Sequence, residues 1–221
     1  MTIRSMLFTV TALLMAFSCG NDTSGPSESI PIYFPMETGD YWTWDYSSIE
    51  DREGTQNDST ELGERTWLVE GIVDHDGGFS LYQITLTDSI VTFFNSIPVD
   101  TLLSETTEYY RLENSEVRYY YSLSDTTSWL LLDLPLALGK SWNDVENAEY
   151  TVLSMDTTLA LPYGTADGCA WVQSDYGISL LPTYDNWYYE PGIGTVKRVY
   201  HQENDVSYYL STWQLTSSSR L

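Results

Sequence analysis

The chain has 221 residues, with 9 Lys+Arg against 32 Asp+Glu and a formal charge of −23, so it repels phosphate backbones and nucleic acid is excluded as a partner. Its 18 Tyr and 42% hydrophobic content separate it from acidic disordered chains, which lack aromatic residues. A chain this long buries a real core, as one large all-β domain or two small ones.

The first segment is an address. Arg4 supplies one basic side chain, and Met6 to Phe17 carries no charge. That run of 12 residues is too short for a bilayer core, which takes roughly 20 helical residues. Met15-Ala16-Phe17-Ser18-Cys19 places small residues three and one before the cysteine, the pattern of a lipobox. The reading is a lipoprotein signal peptide over 1–18, cut before Cys19, with Cys19 lipidated and acylated (palmitate). The mature chain then has 221 − 18 = 203 residues and, with Arg4 gone, 8 basic against 32 acidic side chains. An acidic surface does not hold a membrane, so the lipid must, at about 0.8 kcal/mol per buried methylene. With Cys19 lipidated, Cys169 has no disulfide partner. Residues 19–31 (CGNDTSGPSESIP) read as the lipidated cysteine and a flexible tether with a reach of roughly 20 Å.

From Ile32 onward short runs rich in Val, Ile, Thr, Tyr, Trp and Phe are broken by Gly, Asn, Asp and Pro. The pattern predicts strands over Tyr41–Ser47, Glu64–Val73, Phe79–Thr87, Val91–Asn95, Thr107–Glu113, Glu116–Ser122 and Ser128–Leu134. A second series is predicted over Glu149–Asp156, Ala170–Ser174, Asn186–Glu190, Gly194–His201 and Val206–Trp213. Hairpin turns are expected at Asp74–Gly78, Glu113–Glu116 and Gln202–Asp205. The expectation is an all-β antiparallel meander of roughly ten to twelve strands, closed as a barrel or strongly curved, with few or no helices. It would fill 32–216 as one domain, with 217–221 a flexible tail.

An internal echo suggests two similar halves, 32–134 and 135–216. Pro35-Met36-Glu37-Thr38-Gly39-Asp40-Tyr41-Trp42 matches Pro135-Leu136-Ala137-Leu138-Gly139-Lys140-Ser141-Trp142 as P-Φ-x-x-G-x-x-W, 100 positions later. Its physical reading is a proline-started turn, a glycine free to take positive φ, and a tryptophan that plugs one end of the core. Pro191-Gly192-Ile193-Gly194-Thr195-Val196-Lys197 is a third, glycine-rich entry into a strand.

These segments, with "LPYGTADGCAWV" between them, resemble a widespread family of uncharacterised bacterial secreted lipoproteins bearing Y-F-P-L-x-x-G-x-x-W and P-G-V-G-x-V-K motifs. The resemblance spans residues 32 to 200. It departs at Glu190, where an Ala is usual, and at Asp167-Gly168, which shift the cysteine. It implies a curved or barrel-like β-domain at the cell envelope, on the outer membrane, with no established activity or catalytic residues.

Sites for chemistry are sparse. His75 and His201 sit in no zinc-ligand spacing, so neither a metal nor another cofactor is expected. Asp74-x-Asp76-Gly77-Gly78 has two acids of a calcium loop but no distal Glu, and reads as a turn. Gly177-Ile178-Ser179-Leu180-Leu181 lacks the closing glycine of a nucleophile elbow, and Cys169 in Cys-Ala-Trp-Val reads as a core thiol. No catalytic residue is assigned.

The aromatic clusters Tyr109-Tyr110, Tyr119-Tyr120-Tyr121, Trp187-Tyr188-Tyr189 and Tyr208-Tyr209 remain. Adjacent strand residues point to opposite faces, so each cluster divides its rings between the two sides. The rings either pair across strands to cover a sheet or line a face that stacks on a glycan or grips an envelope protein. Three functions stay open: a non-catalytic binding domain with an aromatic face, a carrier of apolar cargo in an incomplete barrel, and a hydrolase with an acidic site.

Overall fold

The computed structural model describes residues 33–52, 59–113, 115–146, 148–175, 183–204 and 207–221. The signal peptide, Cys19, the tether and the Gly177–Leu181 segment lie outside them. The described residues form strands β1 (Tyr41–Arg52), β2 (Ser59–Asp74), β3 (Ser80–Phe94), β4 (Ile97–Glu113), β5 (Glu116–Tyr120) and β6 (Trp129–Asp133). The second half is β7 (Ser141–Asn143), β8 (Glu149–Leu161), β9 (Gly164–Asp175), β10 (Thr183–Glu190), β11 (Gly194–Asn204) and β12 (Ser207–Ser218).

All twelve belong to one antiparallel sheet, ordered β6-β5-β4-β3-β2-β1-β12-β11-β10-β9-β8-β7. Sequence neighbours therefore pair throughout except β6 and β7, which are the two edges, and β1 pairs with β12. The result is a nearly closed meander barrel with one seam, and no helix among the described residues.

Several sequence expectations change in detail: β4 starts at Ile97, ten residues before the expected Thr107, and β9 at Gly164, six before Ala170. Phe79–Thr87 and Val91–Asn95 are one strand, because Asp88 does not break β3 but turns inward to pair with Arg65. The three-residue β7 was not predicted at all; it is too short to show periodicity. β12 runs on to Ser218, and Ser219 and Arg220 are tied to Asp40, where the sequence suggested a free tail from 217.

The two echoed corners share one backbone geometry. Gly39 (φ 91°) donates its N–H to Val69 O at 2.8 Å, and Val69 N–H returns to Asp40 O at 2.9 Å. Gly139 (φ 77°) donates to Val152 O at 2.9 Å, and Val152 N–H returns to Lys140 O at 2.9 Å. Asp40 N–H and Lys140 N–H close the same turn on Glu37 O and Ala137 O. Met36 and Leu136 are buried in matching places, as are Trp42 and Trp142. Around them the main core gathers Tyr33, Phe34, Val69, Ile84, Val117, Leu132, Val172, Val196 and Leu215.

Candidate functional site

Directly opposed residues of an antiparallel sheet share a face. One row running across five strands reads Trp187 (β10), Arg198 (β11), Trp213 (β12), Tyr46 (β1) and Gly63 (β2). The next row holds Leu215, Trp44, Arg65 and Asp88, and the one beyond it Trp42, Trp67 and Leu86. On the other side lie Ser174, Asp185, Tyr200, Ser211 and Ser48. This face is the inside of the barrel, and it carries both tryptophans and charge.

Arg65 binds Asp88 through two bonds, Nε–Oδ1 at 2.6 Å and Nη2–Oδ2 at 2.9 Å. Arg198 binds Asp185 the same way, with Nη2–Oδ2 at 2.6 Å. Asp185 is fully buried and Asp88 nearly so, while the Arg198 and Arg65 side chains stay 26% and 24% exposed. Trp213 lies between them, its ring 4.8 Å from Arg198 Cζ and 5.4 Å from Arg65 Cζ, and Arg198 Cζ stands 4.1 Å over Trp187. Such contacts favour the cation and hold the guanidinium plane.

Glu108, on β4, is the third acid of this region. Burial raises its pKa above the ordinary carboxylate value, although the Tyr110 hydroxyl donating at 2.7 Å and the two guanidiniums draw it down. Burial likewise raises the phenols of Tyr110, Tyr46 and Tyr189.

Trp44, Arg65, Trp67, Trp187, Thr195, Arg198 and Trp213 enclose a pocket in which the centre of a water molecule can range over about 30 Å³. Trp67 Nε1, Trp213 Nε1 and Thr195 Oγ1, all in its wall, are buried without a hydrogen-bond partner. Ser174 and Ser211 in the adjoining row are unpartnered too. A buried polar group left unsatisfied costs about 1–3 kcal/mol, and folded proteins keep few. Here they are concentrated on this inner face.

The glycine-rich segment after Pro191 contributes Thr195 to this pocket. Gly192 (φ 84°) and Gly194 (φ 102°) bring the chain back so that Ile193 O accepts Trp42 Nε1–H at 2.6 Å and Thr195 O accepts Trp44 Nε1–H at 3.1 Å. Gly194 packs against Pro35, so two of the sequence motifs meet here. At the second corner Trp142 stacks on Tyr150 at 5.5 Å, and its indole N–H has no partner.

The aromatic clusters singled out in the sequence are divided between several places. Trp187 and Tyr189 stack with each other on the inner face, while Tyr188 stacks on Trp171 at 5.7 Å. Tyr209 meets Tyr46 inside, with the two hydroxyls 3.3 Å apart, and Tyr208 packs on His201. Tyr110 is core, between Phe34 and Trp67. Tyr119 and Tyr121 form an edge-to-face group with Trp129, Tyr121 being 62% exposed. Tyr120 covers His75 and Phe79, and Tyr109 sits half-buried opposite it. The pocket itself rests on residues not singled out: Trp44, Trp67, Trp213, Arg65, Arg198 and Thr195. The one local signal is Arg65 two residues before Trp67, in a chain with nine basic residues; Arg198 has no tryptophan near it in the sequence.

Elsewhere the bland assignments have a geometry. Cys169 is a free, fully buried thiol whose pKa burial, with Glu190 and Asp167, pushes up to about 12. His75 Nδ1 accepts from Gly77 N–H at 2.8 Å, which leaves Nε2 to donate to Asp125 O at 2.9 Å. Among the described residues no group of three or more His, Cys, Asp or Glu is placed to hold a metal ion.

No protein-family model matches the chain, and no curated protein does. Among solved structures it is similar to a Bacteroides fragilis protein designated as exported and as having a YmcC-like fold, at 14% identity and a TM-score of 0.45, covering 86% of this chain and 99% of that one. It is similar also to a protein designated a lipoprotein from Parabacteroides distasonis, at 14% identity and a TM-score of 0.41, covering 87% and 100%.

Proposed function

We propose that this protein is an envelope lipoprotein, held to the outer membrane through Cys19, whose β-barrel binds a glycan on its inner aromatic face without turning it over. The observation that carries the reading is the tryptophan–arginine pocket with its unpartnered buried polar atoms. Sugars present flat C–H faces to aromatic rings and ring their edges with hydroxyls. Half-buried Trp67, Trp187 and Trp213 offer the first contact; the partly exposed Arg65 and Arg198 side chains offer the second.

The interior acids on this face are already engaged. Asp88 and Asp185 are each gripped by an arginine, Glu108 accepts from Tyr110, and Glu61 from Tyr46 and Ser48, so each is already bonded, whereas glycoside hydrolysis requires acids open to the substrate. This sets the binding reading above the hydrolase.

The test is a screen of the detergent-solubilised protein against immobilised bacterial envelope glycans, read beside intrinsic tryptophan emission. Retention with a change in emission, lost in Trp187→Ala while the thermal melt stays cooperative, is the expected result. Retention unchanged in Trp187→Ala would place the binding elsewhere and defeat the reading.

A further inference from the structure

We infer that two copies of this protein pair edge to edge along β4, each adding its strand to the sheet of the other. One side of β4 is bonded to β3 from Ile97 to Tyr110. On the other side β5 covers only Tyr109–Glu113. No other strand among the described residues pairs with β4, so Ile97 to Glu108 form a bare sheet edge. Every residue from Ile97 to Leu103 is exposed, and Leu103 most of all, at 74%. Ile97, Val99 and Leu102 beside it are apolar and exposed too. A long, apolar, open edge is a template for another strand.

The backbone fixes which groups the edge offers. Glu113 and Glu116 flank a two-residue turn and so exchange both their bonds. Alternation back along β4 then aims the N–H and C=O of Thr107, Glu105, Leu103 and Thr101 away from β3. Thr101 fits this, its N–H being bonded to Asp100 Oδ1 at 2.8 Å and not to β3. The side chains make this edge its own complement. With a two-fold axis through Leu103, antiparallel pairing sets Leu103 against its equivalent, Thr101 against Glu105, Asp100 against Thr106 and Val99 against Thr107. Both acids then face uncharged residues, and every outward N–H meets an outward C=O. A slip of one residue throws those groups out of phase, and in one direction sets Asp100 against Glu105. Lysine, a common guard of open edges, is absent from the strand, and Pro98 with the bulge beside it blunts only the tip. A patch that complements itself about one axis is what a two-fold dimer requires, and that selects a second copy over a foreign strand.

The experiment takes the full protein in detergent, measures its mass by sedimentation, and oxidises variants that each carry one added cysteine. The parent, whose Cys169 is buried, is the blank. Leu103→Cys is expected to give a disulfide-linked dimer, because directly opposed residues have Cβ atoms about 4.5–5.5 Å apart. Thr107→Cys should link at least about tenfold more slowly, its own equivalent lying about 27 Å along the partner strand. Thr101→Cys and Glu105→Cys should stay unlinked alone and link when mixed. The interface is small, so the parent should pass from monomer to dimer over about 1–100 µM. Two copies of charge −23 repel, so added salt should raise the dimer fraction. Leu103→Lys should leave a monomer with an unchanged melting temperature. Thr107→Cys linking as fast as Leu103→Cys would overturn the pairing. A dimer that persists in Leu103→Lys would place the contact elsewhere and overturn it as well. A parent monomeric throughout, with Leu103→Cys unlinked, would overturn the second copy and leave the edge to a strand of another protein.

Discussion

At the scale of single residues, burial decides chemistry. Cys169 stands opposite Thr157 on β8–β9 with no exposed surface, and its thiol is held near 12. A thiolate, the reactive form, is then almost absent at neutral pH. Native protein should resist an aqueous maleimide and react stoichiometrically once denatured; fast native labelling would contradict a core role. Glu108 gives a second prediction, with its sign set by burial. Its folded pKa is raised, so the folded state binds the extra proton, and stability falls as pH rises from the unfolded carboxylate value through the folded one. Glu108→Gln keeps an acceptor for Tyr110 and removes the charge near Arg65, Arg198 and Asp88. Denaturant melts should show the variant more stable than the parent at pH 7, with the two converging toward pH 4. A variant less stable at pH 7 would mean that attraction to the arginines outweighs desolvation. Gly63 shows close approach at work: a Cβ there would meet Ser89 O at 2.2 Å, so only glycine lets β3 cross beside Tyr46.

At the scale of elements, the two corners are one device used twice with opposite charge. In the first, Asp40 accepts from Arg220 and Ser219 and so pins the end of β12 beside β1. In the second, Lys140 Nζ reaches Asp133 Oδ1 at 3.0 Å and Asp133 O at 2.6 Å, pinning the end of β6 beside β7. The pins sit at equivalent points of the meander, yet β1–β12 pairs over its length and β6–β7 does not. Trp42→Ala and Trp142→Ala should each cost about 3–5 kcal/mol in a thermal or denaturant melt. The Phe substitutions should part company. Trp42→Phe also strands Ile193 O, a further loss of about 1 kcal/mol, whereas Trp142 has no bond to lose. Equal effects of the two Phe variants would show that the Trp42 indole bond contributes nothing.

At the scale of the whole molecule, a barrel with a strongly acidic surface needs a separate means of staying at a membrane. Cys19→Ala should release the protein to the soluble fraction or leave it uncut in the inner membrane, read by fractionation and mass. A mutant still anchored and correctly processed would defeat the lipobox assignment.

The chain's own order of residues determined the β class, the meander and the shared corner. Those depend on local pattern: alternation, turn residues at regular spacing, and a glycine where φ must be positive. Turn punctuation also located many strand ends, but it missed the start of β4 by ten residues, the start of β9 by six, and all of β7, too short for a period; at Asp88 an acid resembles a break but is a buried partner. The pocket was not legible. Arg65 and Arg198 are 133 positions apart, and nothing local to either tells which face it joins or which tryptophan it meets. One residue of register shift would turn every one of those side chains outward. Only closure of β1 onto β12, with a bulge between Thr43 and Trp44, set Trp213 between the two guanidiniums.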